Sequence, residues 1–347
     1  MIGYYAHHRG AGHLHRAMSI AAELDGDVTI LSSSPRPASW GGGWVALPLD
    51  HSAHDRDPAA DPTAHGALHW APLGSEGVHA RAAALADWLR TARPSTVVVD
   101  VSVEVALLVR LHGIPVVYIA QPGDRSDAPH TLGYRASGAI VAVWPPGIDA
   151  VLVADDVAPR IEPVGAISRI RTVAPLPRVA CRIAVLAGLG TRGPSALGAA
   201  VADARRALPD AEWVVLSGAD SATVAETLRT SALVFAHCGE NALAEIAASR
   251  VPAVIVPEDR PHDEQYAMAR ALAASGMPVT VVSPGDEVDD WARLVRDTAD
   301  LDGAAWAAWC DGEAARRAAA VVARVAASVP GSSGGSSATA LSGTDAA

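Results

Sequence analysis

The sequence predicts an α/β fold of two doubly wound parallel-sheet halves facing a central cleft. Three observations predict it. Short apolar runs alternate with helical patterns almost throughout the chain. These runs are continuous Val/Ile stretches without polar alternation, as parallel strands covered on both faces require. The alternation halts in a Pro- and Arg-rich segment, then restarts. A chain of 347 residues has the length of two ordinary domains.

In order, residues 2–6 read as a strand, a Gly-containing loop follows, and a helix runs over about 13–24. A strand at 28–31 precedes a long segment, 49–78, rich in Pro, Asp, His and Gly and without periodicity. Such a loop in a compact domain is functional or mobile. A helix at 78–92, a strand at 96–100, a helix at 102–112 and a strand at 115–120 complete the first half. The second half repeats the scheme, with strands at 182–187, 212–216, 233–237, 253–257 and 279–282. Its helices fall at 194–207, 221–230, 239–249 and 263–275, and a Trp- and Ala-rich helical end reaches about 328. Trp291, Trp306 and Trp309 are expected to pack that end onto the domains. The division is therefore 1–157, a linker at 158–178, a second domain at 179–328 and a Gly/Ser tail at 329–347 that cannot bury a core.

Composition excludes several functions. All 27 basic residues are arginine, so there is no P-loop lysine, no Schiff base and no lysine general base. The formal net charge of -11 argues against nucleic acid as partner. Cys181, Cys238 and Cys310 are odd in number and widely spaced, which supports neither a disulfide framework nor a CxxC metal site. The N-terminal residues lack a basic region followed by an apolar one, and Asp100, Glu104 and Arg110 interrupt the most apolar stretch. A soluble, cytoplasmic protein is expected, with peripheral contact with a membrane left open and no oligomeric state defined.

In open α/β sheets ligands bind beyond the carboxyl ends of the strands, and five segments there carry unusual residues. The first, HHRGAGHLHR, places Gly10 and Gly12 in a tight turn and His13 at the opening of a helix, where the dipole disfavours an imidazolium and suits a general base. It is not the GxGxxG of a dinucleotide fold, because Arg16 and Ala17 follow where the third Gly would stand. The second is Asp100, at a strand end, which either orients a histidine on a neighbouring loop or caps the helix at 102. In the third, GLGTRG, Gly188 and the Thr191 hydroxyl suit a phosphate, or else form an ordinary βα turn. The fourth, HCGENALAE, is the most specific. His237 ends a strand, Gly239 allows close approach, Asn241 and free NH groups face an anion, and Glu245, four residues on, offers a carboxylate to sugar hydroxyls. The fifth, PEDRPHDEQ, presents Glu264 and Gln265 for hydroxyl groups, with Asp263 in position to cap the next helix.

These residues resemble the GT-B glycosyltransferases that use nucleotide sugars. HCGENALAE is similar to the HCGWNSxxE core of the plant secondary-product signature, and PEDRPHDEQ resembles its Pro…(Asp/Glu)-Gln ending. The loop at Gly10–His13 is similar to the N-terminal loop of that family. It also resembles the loop of the enzyme that adds N-acetylglucosamine to the lipid-linked peptidoglycan precursor. The resemblance implies a GT-B fold of two Rossmann-like domains and inverting, metal-independent transfer from a nucleotide sugar, by default a UDP-sugar, to the hydroxyl of a small or lipid-linked acceptor. No bound cofactor is implied. His13 would be the base and Asp100 its partner, with Gly12 in the loop before the base. His237 and Asn241 would meet the diphosphate, with Gly239 giving backbone access. Glu245 would hold the ribose, and Glu264 and Gln265 the transferred sugar.

The sequence departs from the pattern in places. Glu240 stands where plant members carry Trp, and Ala242 replaces a phosphate-binding Ser. The stretch 218–231, which normally helps hold the nucleobase, is short. Glu240 puts a carboxylate beside the diphosphate and calls for a cation, with Arg9 and Arg192 as candidates. His51, His54, His65, His69 and His79 lie in or beside the long loop, and His65 and His69 are spaced i,i+4. No HExxH or Cys pair accompanies them, so no metal is assigned and the loop is read as acceptor-side. A UDP-sugar 2-epimerase and a non-catalytic sugar-nucleotide-binding protein are alternatives on the same architecture.

Overall fold

A computed structural model describes residues 1–51, 57–172, 176–187 and 195–328. The first half is a seven-stranded, wholly parallel sheet. Its strands in chain order are β1 (Ile2–Ala6), β2 (Val28–Ser32), β3 (Gly43–Ala46), β4 (Thr96–Asp100), β5 (Val116–Ala120), β7 (Ala139–Ala142) and β9 (Ile161–Pro163). They lie side by side as β3-β2-β1-β4-β5-β7-β9. A short parallel pair, β6 (Gly123–Asp124) with β8 (Val151–Leu152), stands apart.

The continuous Val/Ile runs follow from burial on both faces. Tyr4, Val98, Val117 and Val141 point to one layer, holding α1 (Gly12–Ala21) and α10 (Ala314–Ala327). Their chain neighbours Tyr5, Val97, Val99, Tyr118 and Ile140 point to the other. That second layer holds α2 (Glu76–Ala92), α3 (Val103–Leu111) and α4 (Ala128–Ala136).

The second half is a five-stranded parallel sheet built from β10 (Val179–Leu186), β11 (Glu212–Leu216), β12 (Ser231–Ala236), β13 (Ala253–Ile255) and β14 (Val279–Val281). Their spatial order is β11-β10-β12-β13-β14. Ile183, Val185, Leu233 and Phe235 pack on α5 (Ala196–Ala207) and α9 (Trp291–Ala299). Ala184, Leu186, Val234 and Ile255 face α6 (Ser221–Thr230), α7 (Glu240–Ser249) and α8 (Glu264–Ala274).

Two differences from the sequence division have simple causes. Ile161–Pro163, inside the expected linker, adds a strand to the first sheet because its three residues find an open edge at β7. The last helix, α10, leaves the second half and covers the first sheet, where Ala318, Val322 and Val325 are buried. Trp306 is fully buried, its indole N–H donating to the Val251 carbonyl at 2.8 Å, and the Trp309 carbonyl accepts from the Ala166 N–H at 3.0 Å. The tail at 329–347 lies outside the described residues. Among the described residues, no helix is long and apolar enough to cross a membrane.

Candidate active site

Strand order brings the first two candidate segments together. β1 and β4 are neighbours at the point where the first sheet changes winding direction, and Ala6 lies opposite Asp100. The loop after β1 therefore passes over the end of β4. His13 Nδ1 sits 2.9 Å from Asp100 Oδ1. Asp100 is completely buried and also accepts from the Tyr4 hydroxyl at 3.1 Å and Arg16 Nη1 at 3.4 Å. Burial alone would raise its carboxyl, but Arg16 and His13 outweigh it and hold the group below the usual carboxylate range. The capping alternative does not hold, because the Ser102 hydroxyl accepts from the Val105 N–H and caps α3 itself. Val101, next to Asp100, has φ +64, a left-handed conformation that β-branched residues avoid.

Across the cleft, β12 ends at the fourth segment. Gly239 is the N-cap of α7 and supplies no capping side chain, so the first-turn N–H groups stay available. The Gly239 N–H donates to His237 Nδ1 at 3.1 Å. Burial, then nearby Arg260, lowers His237 to about 4. The ring is therefore neutral near pH 7 and carries its remaining proton on Nε2, a donor toward the cleft. Asn241 packs on the loop before His13; a Cβ on Gly12 would come within 1.8 Å of its side-chain nitrogen. The two halves thus approach closely at Gly12, where a larger residue would have to push the Asn241 side chain aside.

The charged residues have arginine partners that the sequence does not reveal. Glu240 accepts from Arg16 at 3.2 Å, so the cation it calls for comes from α1 of the other domain and not from Arg9. Burial raises the Glu240 carboxyl to about 7 against the pull of Arg16, and its second oxygen is buried without a partner. Glu245 pairs with Arg169 at 2.5 Å, and Glu264 with Arg125 at 3.3 Å. The Gln265 carbonyl accepts from the N–H groups of Cys238 and Glu258 at 3.0 and 3.1 Å, tying the fourth and fifth segments together. Asp263 is left-handed, at φ +53, and makes no side-chain capping bond to α8.

Gly12, His13, Arg16, Arg169, His237, Gly239, Glu240, Asn241, Glu245, Glu264 and Gln265 line one cleft of about 660 Å³ between the domains. Gly188, Thr191 and Arg192 lie outside the described residues, as does His54. A second cavity, about 720 Å³, opens beside it under the long loop and is lined by Tyr5, Leu68, Trp70, Leu85, Val105 and Leu108, among others. His65 is 93% exposed and does not join His69; His69 instead meets Asp127, His130 and His262.

Two doubly wound parallel-sheet domains closing on a polar cleft define the class of protein. No protein-family model matches the chain, and no curated protein matches it in sequence. Solved structures do. The glycosyltransferase of kitacinnamycin superposes with a TM-score of 0.64 at 15% identity, over 93% of this chain and 98% of that one. The spinosyn rhamnosyltransferase SpnG, complexed with spinosyn aglycone, gives 0.63 at 20% identity, over 94% and 100%. MurG of Acinetobacter baumannii gives 0.61 at 15%, over 93% and 99%. The chain has the GT-B fold.

Proposed function

We propose that the protein is an inverting glycosyltransferase that moves a sugar from a nucleotide-sugar donor to an acceptor hydroxyl without a metal at the reacting centre. The observation that carries this reading is the His13–Asp100 pair, 2.9 Å apart, facing the uncapped N-terminus of α7 across the cleft. Asp100 holds the Nδ1 proton of His13, which leaves Nε2 as the acceptor of a proton. The acceptor oxygen attacks the anomeric carbon from the face opposite the diphosphate. A new C–O bond forms, the bond to the diphosphate oxygen breaks, and the acceptor proton passes to His13 Nε2. The negative charge released on the leaving group meets the first-turn N–H groups of α7 and the Nε2–H of His237, which need no lysine.

Glu245, with Arg169 beside it, is proposed to hold the ribose, and Glu264 the transferred sugar. Gln265 supports that subsite through the two loops it joins. The cavity under the long loop, with its Trp70 and Leu faces, suits an apolar acceptor. A UDP-sugar is the proposed donor, and a thymidine diphosphate sugar is the second arm of the test, because a SpnG structure at 20% identity is complexed with thymidine diphosphate.

The test is release of nucleoside diphosphate across a panel of both donor types with apolar hydroxyl acceptors. Turnover that vanishes in His13→Ala while donor affinity is kept supports the reading. Tight donor binding with no release for any pair would favour a sugar-nucleotide-binding protein instead.

A further inference from the structure

Four side chains from three separate parts of the chain converge where the domains touch. Asp127 caps α4, taking the His130 backbone N–H on Oδ1 at 2.8 Å. Its Oδ2 faces three imidazoles: His130 Nδ1 at 2.8 Å, His69 Nε2 at 3.4 Å and His262 Nδ1 at 3.7 Å. The rings stand 4.2 Å (His69–His130), 4.9 Å (His130–His262) and 5.8 Å (His69–His262) apart. One donor atom from each of the four residues lies within 4.8 Å of the other three.

Two of the three rings reach the carboxylate oxygen only at or beyond the limit of a good hydrogen bond. The backbone is nevertheless committed to the arrangement. His262 sits at φ +62 and Asp263 at φ +53, a left-handed pair that L residues adopt at a cost. Gly123, at φ +102, lets the two domains approach so closely that a Cβ there would lie 2.2 Å from the His262 carbonyl. The His69 backbone N–H is pinned by Glu104 at 2.8 Å.

We propose that His69, Asp127, His130 and His262 form a binding site for a borderline divalent cation of the zinc type, which ties the two domains together. Three imidazoles and one carboxylate suit zinc and its neighbours and not the hard, oxygen-seeking cations. Four protein ligands fill a tetrahedral shell and leave no open position, so the ion is structural and lies outside the transfer chemistry proposed above. The first domain supplies three ligands and the second supplies one, which makes affinity depend on closure of the cleft. Loading has one internal cost. An ion on His130 Nδ1 leaves the proton on Nε2, which faces Arg125 Nη1 at 3.4 Å. The guanidinium must then turn toward Glu264, which it already contacts at 3.3 Å.

The experiment is titration of the chelator-stripped full chain with Co²⁺, read by visible absorption, followed by displacement with Zn²⁺. One equivalent with the intense absorption of four-coordinate Co²⁺ is expected, together with a rise in melting temperature on adding Zn²⁺. His262→Gly suits the local backbone, so it removes a ligand without strain. It and His69→Ala should each weaken Co²⁺ binding at least about tenfold, because even outer-shell partners of a bound metal are worth that much. The Zn²⁺-induced melting shift should disappear in both. His65→Ala and His8→Ala, the latter in a separate His7–His8–Asp50 group, should bind as the parent does. Absence of saturable uptake, unchanged affinity in His262→Gly, or loss confined to His8→Ala would overturn the proposal.

Discussion

Asp100→Asn separates the electrostatic role of the buried carboxylate from its shape. The amide oxygen can keep the 2.9 Å contact to His13 Nδ1, and the Tyr4 hydroxyl, 3.1 Å from the other oxygen, can turn to accept from the new NH₂ group. In the proposed reaction the lost quantity is the attraction between the carboxylate and the imidazolium that would form as His13 takes the proton. At the 2.9 Å separation and an effective dielectric near 20, that attraction is roughly 4–6 kcal/mol. Arg16, 3.4 Å from the same oxygen, already offsets part of it. About 4 kcal/mol remains, which is roughly a 10³-fold fall in kcat. Donor affinity should be unchanged, because Asp100 is completely buried beneath His13 and does not line the cleft. The assay is steady-state diphosphate release for Asp100→Asn, His13→Ala and the double variant. Residues that act as a unit lose activity once, so the double variant should match His13→Ala. A loss below tenfold, or a double variant slower by the product of the two single losses, would refute the coupling of base and acid.

Three further outcomes follow from the site. Gly12→Ala pushes the exposed Asn241 side chain aside and should raise the donor KM while leaving the melting temperature nearly unchanged, checked by kinetics and thermal melting. Glu240 has its carboxyl raised from 4.5 to about 7, so its stabilising share is complete below pH 4.5 and is lost as pH rises through 7. Glu240→Gln should flatten that decline, by at most about 3 kcal/mol, in denaturant melts across the interval. Glu245→Ala should weaken donor binding in calorimetry about tenfold, and unchanged affinity would sink the ribose assignment.

Much of the fold was legible because parallel strands buried on both faces leave long Val/Ile runs. β1, β4 and β11 match the expected bounds. One unassigned strand, β7, carries that signature in the buried run Ala139–Ala142, while the other strands absent from the sequence reading lack it. β3 carries Gly43 and half-exposed residues at the sheet edge, and β9 is three residues long and ends in Pro163. α4 begins at a Pro-containing turn in a stretch without clear periodicity. In the site, His13, Asp100 and the α7 opening were visible because each follows an apolar strand. Their arginine partners were not. Arg16 reaches residues 84 and 224 positions away, and Arg125 and Arg169 reach across 139 and 76. No local pattern encodes such pairings. Arg16 does lie three residues beyond His13 on the same helical face, a spacing that could have drawn attention to it.

The return of α10 to the first sheet means that the chain passes between the domains twice, once after β9 and once before α10. The two passages are bonded to each other. The Ala166 N–H meets the Trp309 carbonyl at 3.0 Å, and Arg317 Nε meets the Val164 carbonyl at 2.8 Å. A single strand would act as a swivel, free to twist; two laced strands act as a door hinge with one axis. Removing the last helix would loosen the hinge and also bare the apolar face that Val321, Val322 and Val325 cover, at roughly 1.5–3 kcal/mol for each side chain.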